Sequence, residues 1–263
     1  MTCSLPPEIL DHIVDHLHDE SATLGACCIV SKSWIPRSRI HLFAHVNFTN
    51  RLPVGSWAEA FTDPLNSPAH YTRTLEIQGR DATTTVGADA NRWIRTFHNV
   101  AHLHISYHPE HLVLFHGLSP TIRSLHLQFG HVQLSECFDL MCSFPLLEDL
   151  TLLVYDCEDD VDGWTTPSTS PRLNGTLELR SMVRIGPITR WLLNLPNGLN
   201  FTEVFLTCAN ETDFKSTTDL VSGCSNTLEF LGFVNLIPGV FPSVPVPDRC
   251  LTATPRSARN NFG

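Results

Sequence analysis

Apolar and polar positions change rhythm twice along the 263 residues. Pro6-Pro7-Glu8 has the features of a helix opening: proline is tolerated in the first turn, and an early carboxylate suits the positive end of the helix dipole. Ile9, Leu10, Ile13, Val14 and Leu17 follow at helical spacing, with Asp11, His12, Asp15 and Asp19 mostly on the other side. Ser21 is placed to cap a second helix whose buried face is Leu24, Cys27, Cys28 and Val30. Pro36 opens a third, which ends at Leu42-Phe43. Three such short helices enclose too little core to stand alone and should lean on a partner.

From Thr49 to His70 the chain reads as a connector, with Pro53, Pro64 and Pro68 and a short helical piece around Trp57–Phe61 whose aromatic rings need burial. From Tyr71 the period becomes two. Apolar pairs stand at Leu75/Ile77, Leu103/Ile105, Leu125/Leu127, Leu150/Leu152, Leu177/Leu179, Val204/Leu206 and Leu231/Phe233, with leading positions 22 to 28 residues apart. Such alternation predicts strands with both members of a pair on the core face. Ile122, Leu147 and Leu228 add a third apolar residue three positions ahead of their pairs. Between the pairs, Asn91–Phe97, Ser135–Met141, Ile188–Leu193 and Asp213–Val221 return to the helical period. The stretch Asp156–Pro171 does not; with Asp156, Glu158, Asp159, Asp160 and Asp162 it predicts an exposed acidic loop in place of a helix. Ile237–Gly263 holds five prolines and neither a strand pair nor a capping helix, and reads either as a strap over the last strand or as a truncated end.

Composition narrows the function classes. Apolar residues are 42% and charged residues 17%, as in a folded chain. The net charge of −10 argues against nucleic-acid binding. Only Lys32 and Lys215 of the 17 basic residues are lysines. Nine cysteines show no C-x-x-C pair or regular framework, so neither a disulfide scaffold nor a zinc ribbon is expected. With no signal peptide or membrane-length apolar run legible, a reduced protein of the cytoplasm, the nucleus or both is expected, with no membrane partner.

Candidate chemistry is sparse. His12-Ile-Val-Asp15-His16 approaches the H-x-x-E-H pattern of some zinc peptidases, but Asp is shorter than the required base and no downstream acidic ligand stands out. A His-dependent metallohydrolase is therefore the weakest reading, and no metal, cofactor or catalytic residue is expected. On the solvent side of the predicted strands, Glu76, His104, His126 and Glu178 form a polar track, and Phe205, Phe230 and Val234 an aromatic and apolar end, the combination a protein-binding surface needs. His104 and His126 occupy the same slot of successive strands, about 5 Å apart.

Leu5-Pro6-Pro7-Glu8-Ile9-Leu10, with Ile13, Leu17, Leu24, Val30-Ser31-Lys32-Ser33-Trp34, Arg39 and Leu42-Phe43, resembles the F-box motif across residues 4–48. The pairs after the 49–70 connector resemble leucine-rich repeats, about seven of them over 71–236, ahead of the tail at 237–263. The usual Asn or Cys three residues past each pair is missing: Arg80, His108, Gly130, Tyr155, Met182, Ala209 and Leu236 stand there, so the array is degenerate. Together these parts resemble the F-box/leucine-rich-repeat class, particularly its expanded fungal sets. The resemblance implies an α+β to α/β chain: a three-helix F-box followed by an α/β solenoid of irregular repeats. It also implies a non-enzymatic substrate receptor of an SCF-type (cullin-RING) ubiquitin ligase. Leu5, Pro6, Ile9, Leu10, Ile13, Leu24, Val30 and Trp34 would dock a Skp-type adaptor or support the fold that does, and the repeat surface would hold a protein substrate. The alternative is an interaction scaffold that recruits no ligase.

Overall fold

The computed structural model describes residues 6–79, 92–106, 109–118, 120–155, 157–158, 170–181, 185–207 and 213–233. Three helices come first: α1 (Pro7–Asp15), α2 (Ser21–Val30) and α3 (Ile35–Leu42), with prolines in the first turns of α1 and α3. Ser21 is not the cap of α2 but its first residue; Glu20 holds the cap position and accepts a hydrogen bond from the Thr23 hydroxyl at 2.8 Å. Val30 does not join the buried face of α2 either. Leu24 and Cys27 are the buried residues, and Val30 lies about 120° around the helix from Leu24. α1 is fastened to α3 by Asp15, whose carboxylate accepts from Arg37 Nη2 at 2.6 Å, Arg37 Nε, and His41 Nε2 at 2.7 Å. Those hydrogen bonds, Arg37 first, hold the Asp15 carboxyl well below the usual carboxylate range.

The sheet begins one strand earlier than the apolar pairs predict. β1 (His45–Phe48) follows α3 almost at once, with Val46 and Phe48 inward, and pairs in parallel with β2 (Thr74–Gln78). The Ala44 carbonyl accepts from the backbone N–H of Arg73 and Thr74, which sets this register. After β1, α4 (Val54–Ala60) carries Trp57 onto the sheet. The Trp57 ring lies 4.8 to 5.9 Å from those of Phe43, Phe48, Phe61 and Phe97, so helix end, strand, connector and the residues before β3 share one aromatic cluster.

The remaining strands of the main sheet are β3 (His102–Ser106), β4 (Ser124–Phe129), β6 (Asp149–Val154), β8 (Thr176–Ser181), β9 (Glu203–Leu206) and β10 (Phe230–Phe233). All eight strands are parallel, in the order β1-β2-β3-β4-β6-β8-β9-β10. The protein is thus α/β, with N-terminal helices ahead of an all-parallel sheet. All seven apolar pairs lie on strands, and Val46, Leu75, Leu103, Leu125, Leu150, Leu177, Val204 and Leu231 stand in register as one buried row. Among the described residues, the helices between strands lie against the inward-facing side of the sheet. There α5 (Leu134–Cys142), α6 (Gly186–Leu193) and α7 (Asp213–Gly223) join the inward strand residues in a continuous core, with the Phe138 and Trp191 rings stacked 4.1 Å apart.

A two-residue strand, β5 (Val132–Gln133), pairs with β7 (Cys157–Glu158) in a small second sheet, so residues 157–158 are not the acidic loop that composition predicts. Backbone pairing to a neighbouring segment overrides the local charge there. Leu5, Asn91, the rest of the acidic stretch at Asp156, Asp159, Asp160 and Asp162, Val234 and the 237–263 tail lie outside the described residues. So do Arg80, His108, Met182, Ala209 and Leu236.

Leu150→Ala, at a fully buried position of the central row, should cost about 2–5 kcal/mol in urea unfolding. Asp15→Asn should lower Tm near neutral pH. Because the folded Asp15 is more acidic than the unfolded one, its stabilisation is present above about pH 4 and is lost as pH falls further, so the two melting curves should converge in acid.

Candidate functional site

Two surfaces carry the candidate residues. On the N-terminal helices, Ile9 and Ile13 are one turn apart on α1 and remain 46% and 41% exposed. Pro6 is exposed, while Leu10 and Trp34 are half-buried. Leu24, only 1% exposed, sits inside the helix packing and can serve a docking face only by supporting it. Val30 is 71% exposed, and its neighbour Ile29, which the motif does not single out, is 88% exposed. The sequence of α2, SATLGACCIV, is apolar on nearly every side, and a short helix of that kind packed on one neighbour must present some of it to solvent. That was the available signal for Ile29. Ile40 on α3 is also exposed.

The H-x-x-D-H stretch does not converge on a common point. The His12 and His16 rings, on α1 and at its C-terminal cap, stack 6.4 Å apart, while Asp15 turns to Arg37 and His41 on α3. Among the described residues, no group of three or more His, Cys, Asp or Glu is arranged to hold a metal ion.

The second surface is the sheet face turned away from the core. Its middle row runs Asn47, Glu76, His104, His126, Thr151, Glu178, Phe205 and Gly232, each residue in register with the next. Glu76 is the hub of the upstream half. It accepts hydrogen bonds from Asn47 Nδ2 at 3.0 Å and Gln78 Nε2 at 3.1 Å, with His45 Nε2 3.3 Å away. His104 comes next, its Nδ1 4.0 Å from Glu76 and its Nε2 2.9 Å from the Ser106 hydroxyl. In a neutral His104 that accepts from Ser106, Nδ1 carries the proton and faces the carboxylate. The His104 and His126 rings are 4.0 Å apart, closer than the strand spacing alone requires. Downstream, Glu178 accepts from Arg180 Nε at 2.6 Å, and the Phe205 and Phe230 rings lie 5.3 Å apart, both half-buried.

The chain matches no protein-family model and no curated protein.

The structure therefore joins Glu76, His104 and His126 in one cluster, with Glu178, Phe205 and Phe230 further along the same face. Sequence reasoning missed the His45 and Asn47 contacts to Glu76, because both residues belong to β1. His45-Val-Asn-Phe48 does alternate, and Asn47 precedes Glu76 by 29 residues, close to the repeat spacing, so the signal was present. Chemically the cluster offers a carboxylate already surrounded by donors and two imidazoles kept uncharged. Burial lowers the pKa of His126 to about 4, with the neighbouring His104 and Arg180 adding to the effect. Burial also lowers that of His104, partly offset by Glu76 and reinforced by His45. The set suits recognition by hydrogen bonding and contact. Among the described residues, no helix is long and apolar enough to cross a membrane.

These shifts give a pH signature. The unfolded chain takes up a proton at His126 near pH 6.5 and the folded one only near 4, so this site favours the fold fully above about pH 6.5 and progressively less as pH falls toward 4. His126→Gln should flatten the decline in Tm between about pH 7 and about pH 5; an unchanged slope would place the titration elsewhere.

Proposed function

We propose that this chain is a non-catalytic substrate-recognition subunit of an SCF-type ubiquitin ligase. In this reading the N-terminal helices are an F-box that docks a Skp-type adaptor, and the sheet is a degenerate leucine-rich-repeat array that holds a protein substrate on its outer face. The observation that carries the reading is the exposure of Ile9, Ile13, Ile29 and Val30 on α1 and α2, which pack against α3. Large β-branched side chains at such exposure are unfavourable in water and are explained by a surface that a partner covers. The L-P-P-E-I-L start and the V-S-x-x-W segment supply the choice of partner, since the resembled motif places its docking residues there. Seven apolar pairs on successive parallel strands support the repeat reading, and the missing Asn or Cys positions are its departure from the family pattern.

In this reading Leu24 and the Asp15–Arg37 clamp shape the docking face and do not touch the adaptor. The chain supplies no reacting group; ubiquitin transfer belongs to other subunits. The test is affinity purification of the full chain with a purified Skp-type adaptor. Ile9→Asp and Ile13→Asp, both at exposed positions, should each weaken adaptor binding at least about tenfold while leaving Tm near its original value. Undiminished binding would sink the docking assignment. Failure of the wild-type chain to bind the adaptor would turn the chain into an interaction scaffold without a ligase.

A further inference from the structure

The outer face of the sheet is unevenly charged. Across the eight strands its described residues include four carboxylates, Glu76, Asp149, Glu178 and Glu203, against a single guanidinium, Arg180. Three of the four are engaged within the face. Glu76 is held by Asn47 and Gln78, Asp149 accepts the Thr176 backbone N–H at 2.7 Å, and Glu178 takes up Arg180. Arg180 is thereby spent and, among the described residues of the strands, leaves no free guanidinium to balance the face. The imidazoles of His104 and His126 add no positive charge near neutral pH.

Glu203 is different. It is exposed, and among the described residues its carboxylate makes neither an ion pair nor a hydrogen bond. Its Cα partner on β10 is Phe230, and Phe205 follows it two residues along β9 on the same side. The two rings, 5.3 Å apart and tilted by 40°, are half-covered. Gly232 sits beneath Phe205 so closely that a Cβ there would come within 2.6 Å of the ring, so the phenyl lies down along β10. An unpaired carboxylate beside two tilted aromatic rings is matched by one kind of protein side chain: a cation on an aliphatic stem, with the stem against the rings and the charge on the carboxylate.

We propose that the C-terminal end of this face binds a basic segment of a protein partner, a lysine or arginine side chain lying across Phe205 and Phe230 with its charged group at Glu203. Charge complementarity selects this occupant: an acidic or phosphorylated segment would meet the carboxylates of the face with, among its described residues, no free guanidinium to receive it. The inference deepens the substrate-receptor reading of this face and rests on it for the partner being a substrate, but not for the chemistry recognised.

The full chain is screened against a positional-scanning peptide library, with no adaptor present. The expected result is selection of Lys or Arg at one position flanked by apolar residues. Glu203→Arg, an exposed substitution whose fold is checked by circular dichroism and Tm, should invert that preference toward Asp or Glu. Phe205→Leu should weaken binding of the selected peptide about tenfold without inverting its charge preference. No selection, selection of acidic or phosphorylated peptides, or a basic preference unmoved by Glu203→Arg would each overturn the proposal. Occupation of the site by the chain's own residues 234–263 would appear as no selection and counts against it. Basic selection together with failure to capture the adaptor would retire the ligase reading and leave this one standing; the reverse pair of results would do the opposite.

Discussion

The register of the parallel strands is the constraint on which the other features depend. Val46 through Leu231 form one inward row and Phe48 through Phe233 a second, each residue opposite its counterpart on the next strand. A slip of one residue at any strand would turn its Leu or Val side chains to solvent and its Glu, His or Thr into the core. The apolar rows therefore fix which side chains face outward as firmly as they fix those inside. Parallel sheets are usually covered on both faces. Here the described helices of the core lie on one side, and the polar and aromatic row lies on the other, so the alternation that makes the core also sets that outer row.

The helical end depends on this sheet for its support. Only Val14, Leu24 and Cys27 are apolar and well buried in α1 and α2, too little to hold a bundle together. The deficit is met by Asp15 binding Arg37 and His41, and by Phe43 entering the ring cluster around Trp57. The apolar residues left outside, Ile9, Ile13, Ile29 and Val30, are those that none of these contacts recruits.

The sequence was most legible where one period repeated many times. Seven Leu-rich pairs at similar spacing specify seven strands more strongly than any single pair can, and each falls where the alternation puts it. Isolated signals fared worse. His45-Val-Asn-Phe48 has one alternation, no leucine and a helix directly before it, so the strand is obscured, and with it the donors that surround Glu76. Apolar character alone puts Val30 on the buried face, but its angle around α2 carries it away from Leu24. Cys157-Glu158 reads as charged loop because its pairing with Val132-Gln133 is non-local and leaves no periodic trace. The likeness of slot between His104 and His126 was visible from register, but the 4.0 Å approach of their rings follows from side-chain packing and the Ser106 contact.

Only Phe43 and Ala44 separate the end of α3 from the first residue of β1, and both are tied down, one by its ring and the other by its carbonyl. This short, tied junction restricts how the helices can turn relative to the sheet, and so restricts the apolar residues of the helices relative to the outer row. Two molecules held on those two surfaces would be kept within a limited range of span and angle. Residues inserted between Leu42 and His45 would alter that reach while leaving both contact surfaces as they are, so geometry and affinity in this molecule are governed by different parts of the chain.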